Sequence, residues 1–448
     1  MSSIQHTYRY LQPSALHDGS APRLALATSD GQAHPHFFEG RLLQPRLIAE
    51  LLAAVHLVVG SRFFTPPGML ERLLALADPV VTSGGGLLRF EGFSACCSAY
   101  IRADLLPDAY VGEVLGKGTT NVDFNAPMRA VLARVRDGAD LHLSVGREAL
   151  ELRASDETIV ERKVPLPVRW LRGMVEVQAY QAAMQPCFQV PALDLVRLLR
   201  SLPRAGTRRT PLWVAPASTG LASTTRPSEG AVRLTEAARL RVLEPLLPRA
   251  RQVQVFADPR QQANAWVLDF GSARLTLVLS SEVWRGFSGE GQALSALIQA
   301  TGDGAALARV RAALNWQAAL EPAALAAQIG SGTPQVDHAL RVLGASGLVG
   351  FDVAAGHYFH RVLPFDLGMS EDLHPRLLDA RALLNEGALE RVSSAPLQVD
   401  VSSGGVVHRV REVDGELQCT CPWFSRFQGL RGPCKHVLAA STLRPSHS

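Results

Sequence analysis

The residues best suited to chemistry lie near the end of this 448-residue chain. Cys419 and Cys421 are separated by one residue, and Cys434 and His436 repeat that spacing after twelve intervening residues. Three thiolates and one imidazole form a Cys₃His set, which suits tetrahedral zinc. Because protein atoms would fill all four coordination positions, none remains for water or a substrate. The set therefore predicts a structural zinc ion and no catalytic role.

Short elements of secondary structure must bring these four side chains together. The sequence predicts a strand, a hairpin turn, a return strand and a short helix: Val406–Val413, Asp414–Gly415, Glu416–Cys421 and Cys434–Thr442. Residues two apart on a strand face the same side, so Cys419 and Cys421 are expected to point at one metal. Cys434 and His436 then complete the tetrahedron from the junction between the loop and the helix.

This ligand order resembles the SWIM zinc finger, whose pattern is C-x-C-x(n)-C-x-H. The match is complete in the order of the ligands and falls within residues 395–448. The resemblance implies zinc at Cys419, Cys421, Cys434 and His436. It also implies binding to DNA or to another protein, and it does not imply catalysis.

Basic and aromatic side chains alternate between the two halves of the cluster. The basic residues are Arg426, Arg431, Lys435 and Arg444, and the aromatic residues among them are Trp423, Phe424 and Phe427. Such a surface could hold phosphates and stack on bases. The alternative is that the aromatic residues form the small core that a module of this size needs, with the arginines merely solvating it. The sequence favours the core interpretation for the rings and leaves phosphate contact by the charges open.

The region 301–370 is predicted to be a winged helix-turn-helix. Three helices and two strands are expected in the order Ala305–Leu320, Pro322–Gly330, Pro334–Ser346, Leu348–Asp352 and His357–Leu363. In that motif the second helix of the helix-turn-helix reads bases near its start, which here exposes Gln335, His338 and Arg341. The wing would add His357, His360 and Arg361. Docking of a protein is the alternative, and the sequence favours it slightly because Asp337 would repel DNA.

Upstream, two stretches of the chain are alike. Leu166–Gly173 resembles Leu279–Gly286 around Trp170 and Trp284. A helix and alternating strands precede each, the helices being expected near Asn125–Val135 and Glu236–Leu247. Self-similarity at a domain-sized period predicts a duplicated α+β unit. Each unit is similar in pattern to the domains of DNA sliding clamps, the alternative being an ordinary α+β pair that serves as a platform for protein interactions.

The predicted fold class is therefore α+β and multidomain: duplicated α+β units, a winged-helix domain and a small ββα zinc finger. The predicted boundaries are 1–50 for an N-terminal segment packing on the first repeat, 51–173 and 174–300 for the repeat units, 301–370 for the winged helix-turn-helix, 371–394 for a helical linker and 395–448 for the finger.

Composition limits the class of protein further. An apolar fraction of 47% against 19% charged residues excludes wholesale disorder. The longest apolar run, Leu47–Gly60, is too short to span a membrane, and the polar residues 1–10 do not resemble a signal peptide, so a cytoplasmic location is expected. A net charge of +4 neither indicates nor excludes a local nucleic-acid surface. The chain contains no hydrolase or metalloprotease motif, and we expect no enzyme activity.

The chain as a whole is similar to poorly characterised bacterial SWIM zinc-finger proteins. Besides the finger, four segments carry this resemblance: Leu88–Cys97, Gly118–Asn125, Val164–Trp170 and Trp284–Gly291. The resemblance implies partnership with a MoxR-type ATPase and von Willebrand factor A proteins. The sequence therefore predicts a non-enzymatic zinc-binding adaptor that binds nucleic acid through the finger and winged helix. The alternative is a protein scaffold for such an ATPase assembly without DNA binding.

Overall fold

The computed structural model describes residues 15–17, 23–25, 36–63, 79–113, 117–122, 124–154, 157–163, 166, 168–202, 211–283, 286–287, 291–299, 304–363 and 374–444. Its helices are Pro45–Gly60 (α1), Ala126–Arg134 (α2), Val168–Ala183 (α3), Ala192–Ser201 (α4), Leu294–Gln299 (α5), Gly304–Ala313 (α6), Pro322–Ile329 (α7), Thr333–Ala345 (α8), Pro375–Asn385 (α9), Pro422–Phe427 (α10) and Lys435–Ser441 (α11). Short 3₁₀ helices span Pro107–Ala109, Ala237–Leu243 and Leu247–Arg249. Within the described residues, no helix is both long and apolar enough to cross a membrane.

The strands, in chain order, are Ala15–His17 (β1), Arg23–Ala25 (β2), His36–Leu42 (β3), Val80–Gly84 (β4), Leu87–Phe93 (β5), Ala99–Leu105 (β6), Tyr110–Glu113 (β7), Gly118–Asn121 (β8), Leu141–Gly146 (β9), Ala149–Ala154 (β10), Glu157–Arg162 (β11), Gln185–Pro191 (β12), Leu212–Ala217 (β13), Gly220–Thr224 (β14), Val232–Leu234 (β15), Gln252–Ala257 (β16), Ala263–Asp269 (β17), Ala273–Ser280 (β18), Val349–Asp352 (β19), His357–His360 (β20), Leu389–Ser394 (β21), Leu397–Ser403 (β22), Val406–Val413 (β23) and Glu416–Cys419 (β24).

An antiparallel sheet of eight strands, in the order β12-β16-β17-β18-β6-β5-β4-β8, is the largest layer described. Strands from both predicted repeat units form this sheet, and the units meet where β6 pairs with β18, from Ala99 opposite Leu279 to Leu105 opposite Ala273. A second sheet of five strands follows the order β11-β10-β9-β3-β7. Smaller sheets are β1-β2, β14-β13-β15, β19-β20 and β21-β22-β23-β24. The mixed helix-and-sheet class predicted from the sequence is confirmed.

Strands β5 and β6 of the large sheet are buried on both faces, although apolar and charged side chains alternate along them. On β5, Leu88 and Phe90 belong to the main apolar core, while Arg89 and Glu91 point to the other side and are also buried. Helix α1 packs on β5 and β6. Buried charges need partners, so the second face requires a cover that supplies them.

That cover is the β19-β20 hairpin. Asp352, at the end of β19, accepts hydrogen bonds from Arg89 at 3.1 Å and Arg274 at 2.9 Å, and it forms an ion pair with Arg102 at 2.9 Å. Asp104 of the sheet forms ion pairs with Arg89 and Arg102. Phe359 of β20 lies 4.1 Å from the Arg89 guanidinium. The hairpin is thus fixed to the sheet by a buried network of ions.

Helices α6, α7 and α8 and this hairpin enclose their own small core, which includes Val310, Leu325, Val336 and Leu340. The helices and strands expected for 301–370 are all present with ends shifted by a few residues, except that the first helix ends at Ala313. Assignment of this region to the winged-helix class stays a prediction. The wing contact expected of His360 and Arg361 is wrong, because both residues are buried, 8% and 1% exposed: His360 stacks on Trp316, and Arg361 pairs with Glu91 of the sheet.

Two further expectations differ from the structure. The helix predicted at Glu236–Leu247 is a pair of 3₁₀ segments, because Leu240, Leu243 and Leu246 lie three residues apart and 3₁₀ geometry puts that spacing on one face. The stretch 371–394, predicted as a helical linker, contains α9 but also β21, which pairs with β22 of the finger sheet. Trp284, used to infer the duplication, and most of residues 1–35 lie outside the described residues.

Candidate metal centre

The four predicted ligands come together in one buried cluster. Cys419, Cys421, Cys434 and His436 have ligand atoms that all lie within 4.8 Å of one another. The His436 Nδ1 is 3.7 Å from the Cys419 Sγ. A tetrahedral site with metal–sulfur bonds of about 2.3 Å and metal–nitrogen bonds of about 2.0 Å has a sulfur–nitrogen distance of about 3.5 Å. The arrangement therefore fits one tetrahedral metal ion, with Nδ1 as the coordinating nitrogen.

Each half of the cluster is positioned by a different local device. The hairpin β23–β24 ends at Cys419, and its turn residues Asp414 and Gly415 both have positive φ, as a tight hairpin requires. Cys421 was expected on the same strand, but the strand ends two residues earlier. Cys421 is instead the N-cap of α10, and Cys434 is the N-cap of α11.

Backbone amides face all three sulfur atoms. The N–H groups of Cys421, Phe424 and Val437 donate to the sulfurs of Cys419, Cys421 and Cys434 respectively, each at 3.4 Å. Two of these amides belong to the first turns of helices, where the helix dipole also favours negative charge. The backbone is thus arranged to stabilise thiolates.

The thiols alone would not ionise readily in this place. Hydrogen bonding with Cys434 and then burial raise the pKa of Cys421 to about 12. Hydrogen bonding with Cys419 and burial likewise raise the pKa of Cys434 to about 12. A cation at the centre is what makes adjacent thiolates compatible, because it supplies the opposite charge that favours their ionised form. The donor set therefore implies a bound metal ion.

Two residues that the motif does not contain support the cluster. The His408 ring lies 4.4 Å from the His436 ring, centroid to centroid. Its position could have been inferred, since His408 is two residues from Val410, which pairs directly with Cys419. Arg376 of α9 donates from Nη1 to the carbonyl oxygens of Arg431 at 2.7 Å and Pro433 at 2.9 Å. No local pattern links Arg376 to the loop that it holds.

The aromatic residues of the finger do not form a buried core. Helix α10 contains no buried residue, and the core of the module is built from its strands and α11, including Val399, Val410 and Leu438. The Trp423 and Phe427 rings lie 4.6 Å apart in a half-buried layer. The interpretation of the three aromatic residues as a miniature core, which the sequence favours, is therefore wrong for Phe427 and only partly right for Trp423 and Phe424, which pack at the edge of the core.

The predicted nucleic-acid residues fall in two separate groups. In the finger, the guanidinium carbon of Arg426 is 5.2 Å and that of Arg431 4.7 Å from the centroid of the Phe427 ring. Lys435 forms an ion pair with Asp379 at 3.7 Å. On α8, Gln335 is exposed and His338 half-buried, while Arg341 pairs with Asp337.

Comparison with known proteins identifies the C-terminal module. Residues 398–444 match the model of the SWIM zinc finger family. The chain therefore contains a SWIM zinc finger, as its ligand spacing predicted. No curated protein matches the chain.

Similarity to solved structures is weak. The β sliding clamp of Caulobacter crescentus is 17% identical, with a TM-score of 0.36, over 55% of this chain and 66% of the clamp, just under two thirds of its length. A DnaN sliding clamp of Bartonella birtlesii is 15% identical, with a TM-score of 0.36 and the same coverages. Proliferating Cellular Nuclear Antigen of Entamoeba histolytica is 10% identical, over 98% of its own length, with a TM-score of 0.36. Scores at this level define no shared fold, and nothing about function follows from them.

Proposed function

We propose that this protein is a non-enzymatic, zinc-containing cytoplasmic adaptor that binds nucleic acid through its SWIM finger. Zinc is the proposed ion because Cys₃His with tetrahedral spacing is a donor set that it favours. Four protein ligands leave no open position, so the ion stabilises the module instead of acting on a substrate. The predicted winged helix is proposed as a second, weaker contact.

The observation that carries the proposal is the finger patch, defined as Trp423, Arg426, Phe427 and Arg431. No side chain of α10 is fully buried: Arg426 is exposed, and the Trp423 and Phe427 rings are half-buried, so part of each ring remains accessible. Arg431 lies near both rings, 5.1 Å from the centroid of Trp423 and 4.7 Å from that of Phe427. Aromatic faces with adjacent guanidinium groups can stack on bases and contact phosphates together.

The other basic residues are expected to contribute less. The ion pair with Asp379 places a carboxylate 3.7 Å from Lys435, which competes with a phosphate for that charge. Arg341 is held in the same way by Asp337 on α8. Gln335 and His338 remain as polar groups near the start of α8, where a reading helix would contact bases.

Fluorescence anisotropy with single-stranded and double-stranded DNA at several salt concentrations tests this proposal. Binding should weaken steeply with salt, because each phosphate contact releases a counterion. The variant Arg426→Ala/Arg431→Ala/Lys435→Ala should lose affinity and have a shallower salt dependence. Arg411→Ala, which removes an exposed arginine of β23 outside the finger patch, is the matched control. Binding that is the same in the triple variant and the wild type would overturn the proposal.

A protein scaffold for a MoxR-type ATPase with von Willebrand factor A proteins is the alternative function. Burial of His360 and Arg361 favours it, because both side chains are withdrawn from any DNA surface. The alternative predicts that tagged protein copurifies with such partners after nuclease treatment. Absence of a stable partner under those conditions would count against it.

A further inference from the structure

A cavity of about 510 Å³ is lined by residues between Phe37 and Val362, all of which precede the finger in the sequence. Its walls come from strand β8, from the turn after β9, and from the residues around Trp316 and His360. The volume falls within the range of about 300–1,000 Å³ that small-molecule sites occupy. The cavity thus joins the first repeat region to the three-helix unit, and neither the metal centre nor the finger patch uses it.

The described lining of the cavity carries positive charge. Lys117, Arg147 and Lys163 belong to it, and none of its described residues is a carboxylate. The Glu148 carboxylate, 3.9 Å from the Lys163 ammonium, is not part of the lining. Three cations around a partly enclosed space of this size favour an anion, since charges attract more strongly away from bulk water.

A neutral imidazole, that of His360, adds a hydrogen-bond donor to the lining. The His360 Nδ1 accepts a hydrogen bond of 2.7 Å from the backbone N–H of Trp316, so the neutral ring carries its proton on Nε2. Burial and the charge of Lys117 lower the pKa of His360 to about 4, which keeps the ring neutral near pH 7. The hydroxyl of Thr120 donates at 2.6 Å to the carbonyl of Arg147 and so fixes the turn that carries this arginine.

Trp316 gives the cavity an aromatic wall. Its ring stacks on His360 with centroids 4.6 Å apart and planes at 23°. Its backbone has φ of 56°, a left-handed conformation that is unfavourable for a bulky residue. Gly84 permits this position, because a Cβ there would lie 2.6 Å from the Trp316 carbonyl oxygen. Strained backbone of this kind is concentrated at functional sites.

We infer that this cavity binds a free nucleoside phosphate. Its phosphates would contact Lys117, Arg147 and Lys163, and its base would pack on the half-buried Trp316 ring. The cations account for the phosphates, while the aromatic wall and the volume account for a base and sugar. The inference is independent of nucleic-acid binding by the finger, because it uses none of the finger residues.

Isothermal titration calorimetry of the full chain with ADP, pyrophosphate and adenosine tests the inference. ADP should bind with a stoichiometry of one. Lys117→Ala and Arg147→Ala should each weaken ADP binding about tenfold or more, as expected for loss of a charge-assisted hydrogen bond. Trp316→Leu should weaken ADP by about five- to a hundredfold, the range for a lost base stack, and leave pyrophosphate binding unchanged. Arg136→Ala, an exposed arginine outside the cavity, should bind ADP like the wild type.

Three results would overturn the inference. The first is no binding of ADP at millimolar concentrations by the folded wild-type chain. The second is equal binding of ADP and pyrophosphate that Trp316→Leu does not change, which would make the cavity a site for inorganic anions only. The third is that the wild type binds a single-stranded oligonucleotide but not ADP, and that Lys117→Ala loses the oligonucleotide. This result would make the occupant a nucleic-acid strand. Lys117→Gln replaces Lys117→Ala if the alanine variant does not fold.

Discussion

Asp352 should be among the carboxylates whose loss costs this protein most. It belongs to the hairpin β19–β20, but its partners Arg89, Arg102 and Arg274 belong to the eight-stranded sheet. Asp352→Asn keeps the size of the side chain and removes its charge. Three arginines would then share the single carboxylate of Asp104, which leaves uncompensated positive charge in a buried place.

The magnitude follows from burial. Asp352 and Asp104 are fully buried, and Arg89 and Arg102 are at most 2% exposed. Removing one partner from a buried, hydrogen-bonded ion pair typically costs about 3–5 kcal/mol. Burial alone would raise the pKa of Asp352, but Arg102, Arg89 and Arg274 outweigh it and hold that pKa well below its usual range. The carboxylate therefore stabilises the fold at all pH values above about 4, and this contribution is lost only at more acid pH.

Hydrogen exchange measured by mass spectrometry can locate this loss. In Asp352→Asn the amides of β19 and β20 should exchange faster by about 100-fold or more, since about 1.4 kcal/mol corresponds to a factor of ten. Asp337→Asn, which breaks the exposed pair with Arg341 on α8, is the matched control and should cost less than about 0.5 kcal/mol. Equal exchange in the two variants would refute the idea that the ion network holds the hairpin to the sheet.

Three further outcomes are expected. Cys434→Ser should abolish stoichiometric metal binding. It should also speed hydrogen exchange of the amides in α9 and α5 as well as in the finger, because α11 packs on both helices. Faster exchange confined to residues after 395 would contradict this packing. Between about pH 6.5 and 4, His360 is protonated in the unfolded chain but neutral in the folded one, so the free energy of unfolding should fall by up to about 3 kcal/mol as the pH decreases. In chemical denaturation, His360→Gln should flatten this pH dependence. Parallel pH profiles of the variant and the wild type would exclude His360 as the source. Gly432→Ala should lower the thermal midpoint, because Gly432 has a φ of +70° and the added Cβ would lie 2.7 Å from the Gly291 backbone. Gly415 has a φ of +77° but no atom within 4 Å of the added Cβ, so Gly415→Ala should lower the midpoint less.

The metal ligands could be predicted because the whole cluster lies within one short segment. Chain spacing alone brings Cys419 near Cys421 and Cys434 near His436, and the strand Val406–Val413 was predicted with its observed ends. The N-cap position of Cys421 is also signalled locally, by Pro422, because proline is common at the first helical position.

The rest depends on contacts between distant parts of the chain. The pairing of β6 with β18 and the contact of Asp352 with Arg89 join residues that no local periodicity relates. The cavity around Trp316 likewise combines β8, the turn at Arg147 and the end of β20. A single sequence specifies such contacts only through the complete packed fold. The buried Arg89 and Arg102 of β5 and β6 belong to no local motif, so their charge alone does not predict that the sheet binds the hairpin.

Metal analysis of the purified chain tests the central claim most directly. Elemental analysis by mass spectrometry, combined with native mass spectrometry, should find one zinc ion per chain in the wild type and none in Cys434→Ser. Cys187→Ser, which changes a cysteine outside the cluster, should retain the metal. A folded wild-type chain without metal, or a Cys434→Ser variant that still binds one zinc ion, would contradict the account.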